Sequence, residues 1–310
     1  MSFKVMLANV RGMCQGVSRA ILTVEKALER YGAGKVWVLH EVVHNRHVVE
    51  DLRDRGAHFV ESLDEVPDGA VLIFSAHGVG LETLISAQKR GFTIIDATCP
   101  VVSHIHKKMN RAGESGKDAV VIGHNGHQEV IGTIGQYKGD KSHVHVVMTE
   151  ADVDKLEIDG NNAIFATQTT LSVDETARTV ARLKQRFPLI TGPRRDDTCA
   201  ATQDRQEAIR ELAGFCDVII IAGSANSSNS NRLREVAERH GATAYLVDDY
   251  EGIDLNWLAQ AKCVGISAGA SAPEYVVDGI ISFLKSHGAQ SVESVGMKLS
   301  NRPFPLPSGL

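Results

Sequence analysis

The sequence predicts an α/β protein built from mostly parallel sheets. Short apolar runs rich in Val and Ile alternate with amphipathic helical stretches along all 310 residues, a pattern typical of strand–helix units. The apolar runs are continuous, as expected for strands that are covered on both faces. The chain also exceeds the usual size of a single hydrophobic core, so we expect two or three units.

Ten apolar runs are predicted to be strands, and the stretches between them are predicted to contain helices. The strands are residues 4–8, 35–39, 70–74, 92–95, 119–123, 143–147, 163–167, 217–223, 242–247 and 263–268. The clearest helices are Ser18 to Arg30, Val173 to Phe187, Asn231 to His240 and Pro273 to His287. The last ten residues, NRPFPLPSGL, carry three prolines and predict a surface-wrapping or loose tail.

Composition excludes several classes of protein. Apolar residues make up 43% and charged residues 23% of the chain, which is ordinary for a soluble globular protein. The net charge of -5 is unlike the positive charge that is typical of nucleic-acid-binding proteins. No apolar run reaches the roughly 18 residues that a membrane-spanning helix needs. The first residues do not resemble a signal peptide. We therefore expect a cytoplasmic protein, in which five cysteines favour metal or redox chemistry, or simple burial, over disulfides.

Three of the five cysteines share one local pattern. Cys14, Cys99 and Cys199 each come after an apolar run and before a predicted helix, and the last two lie in the similar stretches DATCP and DDTCA. A thiolate at a helix N-terminus is stabilised by free backbone N–H groups and the helix dipole. Ligands of open α/β sheets bind at such strand-to-helix turns. The pattern predicts three similar units that each deliver one cysteine.

Two chemistries and one structural alternative fit these cysteines. Packing at a helix start is the alternative for each of them alone, and Cys216 and Cys263, which open apolar strands, are expected to be small buried hydrophobes. Three thiolates without a fourth indicate a soft metal site. Zinc sites often contain a close CxxC pair, which this chain lacks. An iron–sulfur cluster on three cysteines would leave one iron open to a substrate oxygen.

Histidines and hydroxyl groups occupy other predicted loops. His44, His77 and His127 lie at loop positions where a neutral imidazole could bind metal and a protonated one an anion, although a lone histidine is more often an ordinary surface residue. Glu129, two residues after His127, could donate a proton at the same site or could be a solvated helix-start residue. The polar loop GSANSSNSNRL precedes a helix and predicts a phosphate site, with a flexible loop as the alternative. The candidate anchors are Ser227, Ser228, Asn229, Ser271, Thr169 and Thr170.

The motifs together resemble the 4-hydroxy-3-methylbut-2-enyl diphosphate reductase family of the non-mevalonate isoprenoid pathway. The matching segments, in chain order, are RGMCQGV, HEVVHN, SAHG, DATCP, GHQEVIGT, TQTTLSV, GSANSSNSNRL and AGASAP. The resemblance implies three α/β units in a trefoil around a central [4Fe-4S] cluster. We expect the units at 14–97, at 98–195 and at 1–13 plus 196–290, followed by a C-terminal tail at 291–310.

The resemblance also assigns roles to residues. It makes Cys14, Cys99 and Cys199 the cluster ligands and Glu129 the proton donor, with Thr169 in the proton relay to the substrate hydroxyl. The residues that it places around the substrate diphosphate, or beside that position, are His44, His77, His127, Thr170, Ser227, Ser228, Asn229 and Ser271. Departures from the family pattern at Val10, Met13, Gln15 and Gln128 remove no functional side chain.

The implied reaction is reductive dehydroxylation of the diphosphate to isopentenyl and dimethylallyl diphosphate. Its electrons would come from a donor such as flavodoxin or ferredoxin. The rival hypotheses are a zinc hydrolase of a phosphorylated metabolite and an iron–sulfur redox sensor. Only the cluster hypotheses predict brown protein after anaerobic purification, and a sensor should be indifferent to mutation of Ser227 and Asn229.

Overall fold

The computed structural model describes residues 2–193, 196–298 and 303–310. Arg194 and Arg195, which precede Cys199, lie outside these ranges. The strands form three separate sheets in which every pairing is parallel. This confirms the predicted α/β class with three parallel-sheet units. No helix among the described residues is long and apolar enough to cross a membrane.

The strands agree closely with the predicted runs. They are β1 Phe3–Ala8, β2 Val36–Leu39, β3 Ala57–Val60, β4 Val71–Phe74, β5 Thr93–Asp96, β6 Asp118–Ile122, β7 Val144–Val147, β8 Ala163–Thr167, β9 Val218–Ala222, β10 Thr243–Val247, β11 Cys263–Ala268 and β12 Ala289–Val295. The sheet orders are β3-β2-β4-β5, β7-β6-β8 and β10-β9-β11-β1-β12.

The helices alternate with the strands. They are α1 Gln15–Tyr31, α2 Arg46–Asp54, α3 Leu81–Lys89, α4 Pro100–Glu114, α5 Gln128–Gly135, α6 Glu150–Asp154, α7 Val173–Arg186, α8 Ala200–Ala213, α9 Ser228–Arg239 and α10 Glu274–Ser286. The four predicted helices are all present, and their ends differ from the prediction by at most three residues.

The chain forms two compact units. The first comprises Met1–Ser18, Val43–Asp51 and Ala200–Pro303 and contains the five-stranded sheet. The second comprises Arg19–Val42, Leu52–Cys199 and Phe304–Leu310 and contains the other two sheets. Buried apolar clusters cover both faces of the five-stranded sheet and both faces of the β7-β6-β8 sheet. The predicted domain boundaries stay a prediction.

Two strands were not predicted, β3 and β12. The segment of β12, AQSVESV, is polar, and its residues are exposed or half-buried because it lies at the sheet edge and pairs only with β1. The expected tail at 291–310 therefore begins inside a strand. Its last part lies against the second unit, where Arg19 Nε donates to the Pro305 carbonyl at 2.7 Å and Arg30 Nη1 donates to the Gly309 carbonyl at 3.1 Å.

Candidate active site

The three cysteines each directly precede a helix: α1 begins after Cys14, α4 after Cys99 and α8 after Cys199. The Val17 N–H points at the Cys14 sulfur over 3.4 Å, as expected for a sulfur at a helix N-terminus. In one respect the expectation was wrong. Among the described residues, Cys199 is preceded by α7 and a single bridge between Thr191 and Ile164, and not by a full strand.

The stretches DATCP and DDTCA are alike because they form the same turn. Asp96 Oδ1 accepts a hydrogen bond from the Thr98 N–H at 2.9 Å, and Asp196 Oδ1 accepts one from the Thr198 N–H at 2.7 Å. Each is an aspartate bonded to the backbone two residues ahead, which closes a tight turn. The following residue is the cysteine in both cases. The two similar stretches therefore form the same turn, and each turn places a cysteine at the start of a helix.

Backbone contacts tie two of the cysteines to loops of the second unit. The Cys99 N–H donates to the Ala76 carbonyl at 3.0 Å, beside His77, and the Cys199 N–H donates to the Thr169 carbonyl at 3.2 Å. These bonds connect both cysteines to loops that the sequence had marked as functional. Within the second unit, two predicted cluster ligands therefore lie next to predicted site residues: Cys99 is close to His77, and Cys199 is bonded to Thr169.

Cys14 is held in the first unit by the loop after β11 and by an arginine. Its N–H donates to the Ala270 carbonyl at 3.0 Å. Gly12 has φ +66°, which favours glycine, and an added Cβ would lie 3.3 Å from the Ala272 carbonyl oxygen. Buried Arg205 donates from Nε at 3.0 Å, and from Nη2, to the Gly12 carbonyl. The turn that carries Cys14 is thus fixed from two sides.

The donor set of these turns suits a soft metal centre. The three thiols lie at helix starts, where the thiolate form is favoured. Backbone N–H groups there can also donate hydrogen bonds to the sulfur atoms of a cluster. Among the described residues, no three His, Cys, Asp or Glu side chains are gathered closely enough to hold one metal ion. The assignment of Cys14, Cys99 and Cys199 as one ligand set therefore stays a prediction that rests on their chemistry and local placement.

Glu129 is a buried carboxyl group at the start of α5. It is only 2% exposed, and its oxygens accept hydrogen bonds from the Thr169 N–H at 2.7 Å and the Thr169 hydroxyl at 2.9 Å. Burial raises the pKa of Glu129 to about 7, against the lowering effect of the Thr169 bonds, and nearby Asp197 raises it further. Near neutral pH a large fraction of Glu129 is therefore protonated and able to donate.

His77 and His127 lie together beside this acid. Their ring centroids are 5.9 Å apart, and the Ser75 hydroxyl lies 3.3 Å from His77 Nδ1. His127 is the N-cap of α5, where its Nδ1 accepts from the Glu129 N–H at 3.1 Å. Because Nδ1 accepts, the proton of a neutral ring is on Nε2. The second unit thus groups two imidazoles, the acid and Thr169.

The first unit groups the remaining anion-binding candidates. Asn229 Oδ1 accepts from the Ala270 N–H at 2.9 Å, and the Ser271 hydroxyl donates to the His44 carbonyl at 2.8 Å. Ser227 is the N-cap of α9, and Ser228 is its first residue. The side chains of Ser227, Asn229 and Ser271 are all buried. The two polar loops after β9 and β11, together with the His44 loop, therefore form one hydrogen-bonded group.

This group contains one buried donor that is not satisfied. Asn229 Nδ2 is buried and has no hydrogen-bond partner among the described residues. A buried amide N–H without an acceptor costs about 1–3 kcal/mol, so such donors are normally satisfied by protein, water or ligand. An anionic oxygen would satisfy it, which agrees with a phosphate site at the start of α9.

Two residues of the second unit were not expected from the sequence. Gln168 Oε1 accepts from the His124 N–H at 3.0 Å, and its Nε2 donates to the Thr170 hydroxyl at 2.9 Å. Asp197 accepts from the Thr167 N–H at 3.0 Å and pairs with Lys108 at 3.5 Å. Gln168 lies in the motif TQTTLSV and Asp197 in DDTCA. Their adjacency in sequence to predicted site residues is the signal from which they could have been predicted.

Known proteins are similar to this chain over almost its whole length. Residues 5–285 match the family model described as LytB protein. The 4-hydroxy-3-methylbut-2-enyl diphosphate reductase of Cronobacter sakazakii is 50% identical over 308 residues, which cover 99% of this chain and 97% of that protein. The enzyme of the same name from Yersinia enterocolitica is 52% identical over 300 residues, covering 96% and 94%.

Solved structures give the same result. The structure of the E-1-hydroxy-2-methyl-but-2-enyl-4-diphosphate reductase from Plasmodium falciparum matches with a TM-score of 0.94 at 34% identity, covering 99% of this chain and 96% of that one. A structure of (E)-4-hydroxy-3-methyl-but-2-enyl diphosphate reductase, described as the terminal enzyme of the non-mevalonate pathway, matches with a TM-score of 0.63 at 29% identity, covering 92% and 99%.

Proposed function

Since this chain belongs to the LytB protein family, we infer that it is an oxidoreductase that converts 4-hydroxy-3-methylbut-2-enyl diphosphate to isopentenyl and dimethylallyl diphosphate. The inference is carried by one observation above all. A carboxyl group with a pKa of about 7 is buried between two loops whose motifs match the family, and it is hydrogen-bonded to Thr169. This is the acid that loss of a hydroxyl group as water requires.

We propose that Cys14, Cys99 and Cys199 hold a [4Fe-4S] cluster. Three thiols at helix N-termini suit such a cluster, and a fourth cysteine in the same setting is absent from the sequence. When bound, the cluster supplies electrons and Lewis acidity at its iron without a cysteine ligand. The protein contributes positioning, charge and protons around it.

Glu129 supplies a proton to the departing hydroxyl. The overall reaction consumes two electrons and two protons and releases one water. At neutral pH the protonated fraction of Glu129 can donate directly or through the Thr169 hydroxyl, which lies 2.9 Å from its oxygen. Burial keeps bulk water away from this pair, so the proton is delivered from one defined position.

The loops of the first unit bind the diphosphate. Asn229, Ser227, Ser228 and Ser271 offer amide and hydroxyl groups, and the positive end of the helix dipole at the start of α9 favours negative charge. His44, His77 and His127 offer ring N–H groups as hydrogen-bond donors, which in His127 is Nε2–H because Nδ1 accepts from the Glu129 N–H. Thr170 adds a hydroxyl group. The contacts to the diphosphate can then hold the hydroxyl end of the substrate in a fixed position for reaction.

The electrons need an external donor. The sequence carries no GxGxxG dinucleotide fingerprint, so a small electron-transfer protein such as flavodoxin or ferredoxin is the proposed donor. A cytoplasmic location, where such donors are reduced, is proposed with it.

The test of the catalytic assignment is Glu129→Gln. This change removes the acid but keeps the size of the side chain, and the amide can still bond to Thr169, with its oxygen accepting from the N–H and its NH2 group donating to the hydroxyl. Anaerobically purified variant should keep the brown colour and iron content of the parent and lose about 100-fold or more in turnover with a chemical reductant. A parallel loss of iron and activity would refute the role of Glu129 as acid. Glu175→Gln, on half-exposed α7, is the matched control and should change neither value.

The test of the diphosphate site is Asn229→Ala. Loss of the buried amide should raise KM about 10-fold or more, while iron content stays unchanged. Asn256→Ala, in a short helical turn of the same unit, serves as the control, since that side chain lies away from the loops after β9 and β11. An unchanged KM for Asn229→Ala would exclude Asn229 as a diphosphate ligand.

A further inference from the structure

A cavity of about 380 Å³ opens on one face of α4 in the second unit. Its lining is dominated by cations, with Lys107, Lys108 and Arg111 from the helix and Lys117 from the segment before β6, and it also includes His104. The volume is in the range of sites for small ligands. In a chain with a net charge of -5, this concentration of positive groups in one concavity is exceptional.

Three of the four cations have no ion-pair partner among the described residues. Lys108 pairs with Asp197 at 3.5 Å, but Lys107, Arg111 and Lys117 have no carboxylate within ion-pair distance in the part of the chain that the structure describes. On α4, Lys107 and Lys108 lie four and three residues before Arg111 and share one face with it, so their like charges are unfavourable for the helix. A bound anion would offset this repulsion.

The base of the cavity is apolar. Ala112 and Ile164, which are 3% and 7% exposed, lie among the cationic side chains that line it. A site for inorganic phosphate alone would need only donors and charge. A cationic rim around an apolar base instead suits a ligand with an anionic end and an apolar or flat end.

The cavity is distinct from the candidate active site. Lys117 precedes β6, whereas His124 and His127 follow it, so the two places lie at opposite ends of that strand. None of the residues that line the cavity is among the predicted ligands, acids or diphosphate anchors.

We propose that this cavity is a second anion site, which binds a small organic diphosphate or triphosphate. The phosphates lie against Lys107, Arg111 and Lys117, where the Arg111 guanidinium can hold two oxygens at once and the lysines act as point charges. The organic part covers Ala112 and Ile164. The proposal does not depend on the reaction catalysed elsewhere in the chain.

The experiment uses the δ-methyl group of Ile164 as a reporter in methyl-labelled full-length protein, with the resonance assigned from Ile164→Val. Inorganic pyrophosphate and ATP are the probes. Both should shift the Ile164 resonance to saturation, and ATP should bind about tenfold more tightly because its organic part contacts the base. The double variant Lys107→Gln/Arg111→Gln should lose about tenfold or more in affinity for both.

A matched control separates a site from general charge attraction. Lys35→Gln/Lys89→Gln removes two exposed lysines of the same unit that are outside the cavity and should leave both affinities unchanged. Equal losses in the two double variants would overturn the proposal. So would an Ile164 resonance that does not respond up to roughly 10 mM probe, or one that responds to polyglutamate but to neither phosphate, which would indicate an acidic protein partner instead.

Discussion

Asp96 and Asp196 show how much of this site is readable at the level of single residues. The side chain of each closes a turn just before a cysteine, and residues of this type favour such turns from sequence alone. Glu129 is different. Its position two residues after His127 was visible, but its burial and its bonds to Thr169, forty positions away, depend on how distant segments pack. Such burial decides the chemistry and cannot be read from a short motif.

The raised pKa of Glu129 predicts the pH dependence of turnover. Burial raises the pKa from 4.5 to about 7, so the protonated acid predominates below about pH 7 and is lost above it. If its proton is needed, turnover should fall about tenfold for each pH unit above that value. A pH–rate profile with saturating substrate and a chemical reductant measures this, and a profile that stays flat from pH 6 to about 9 would contradict it.

The same shift has a consequence for stability with a definite sign. A carboxyl whose folded pKa is raised stabilises the fold below its unfolded value, near 4.5, and this contribution is lost as the pH rises through about 7. Glu129→Gln has no such dependence. Its stability relative to the parent should therefore increase between these two pH values, which thermal unfolding at several pH values would show.

At the scale of secondary-structure elements, the two strands that the sequence did not predict, β3 and β12, both lie at sheet edges, whereas the other edge strands carry predicted apolar runs. The run VIIIA of β9 is buried at every position, and its hydrophobicity alone marks it. β12, with the sequence AQSVESV, has one neighbour and little burial, so its composition resembles that of a loop. β12 forms because it pairs with β1, which is distant in the sequence. A local sequence pattern contains no information about such a distant partner.

Helix α4 gives a prediction that opposes intrinsic helix propensity. In an exposed helix, Gly→Ala stabilises by about 1 kcal/mol. At Gly113, however, an added Cβ would lie 2.6 Å from the Lys138 carbonyl carbon and would also clash with the N and O atoms of that backbone unit. Gly113→Ala should therefore lower Tm by several degrees, as for a loss of about 2 kcal/mol.

Gly279 in α10 provides the matched control. There the nearest atom to an added Cβ belongs to the Tyr250 side chain, at 3.3 Å, which can move. Gly279→Ala should leave Tm unchanged or raise it slightly. Thermal unfolding of the two variants by circular dichroism makes the comparison, and equal Tm values for both would contradict the close approach seen at Gly113.

At the scale of the whole molecule, both compact units are assembled from distant segments. The first joins residues near the N-terminus to those after Ala200, and the second includes the last residues, Phe304–Leu310. The alternation of strands and helices predicted the class of fold, and the repeated cysteine pattern predicted three units. Neither predicted that β1 would lie between β11 and β12, since strand order depends on which apolar faces pack together over long separations.

Truncation tests the importance of the C-terminal strand. A chain that ends at Gly288 lacks β12, so β1 becomes an exposed edge and the apolar side chains around it lose cover. We expect this chain to be largely insoluble. A chain that ends at Pro303 loses mainly the bonds from Arg19 and Arg30 to the tail and should stay soluble with a slightly lower Tm. Soluble yield measures both, and a soluble, active Gly288 truncation would contradict the expectation.

The position of β1 also bears on synthesis. This strand is synthesised long before both of its neighbours, β11 and β12, which begin only at Cys263 and Ala289. At roughly 5–20 residues per second, the nascent chain carries an unpaired apolar strand for more than about ten seconds. During translation, this N-terminal segment is therefore the expected place for a ribosome-associated chaperone to bind, and slowing elongation should lengthen that contact.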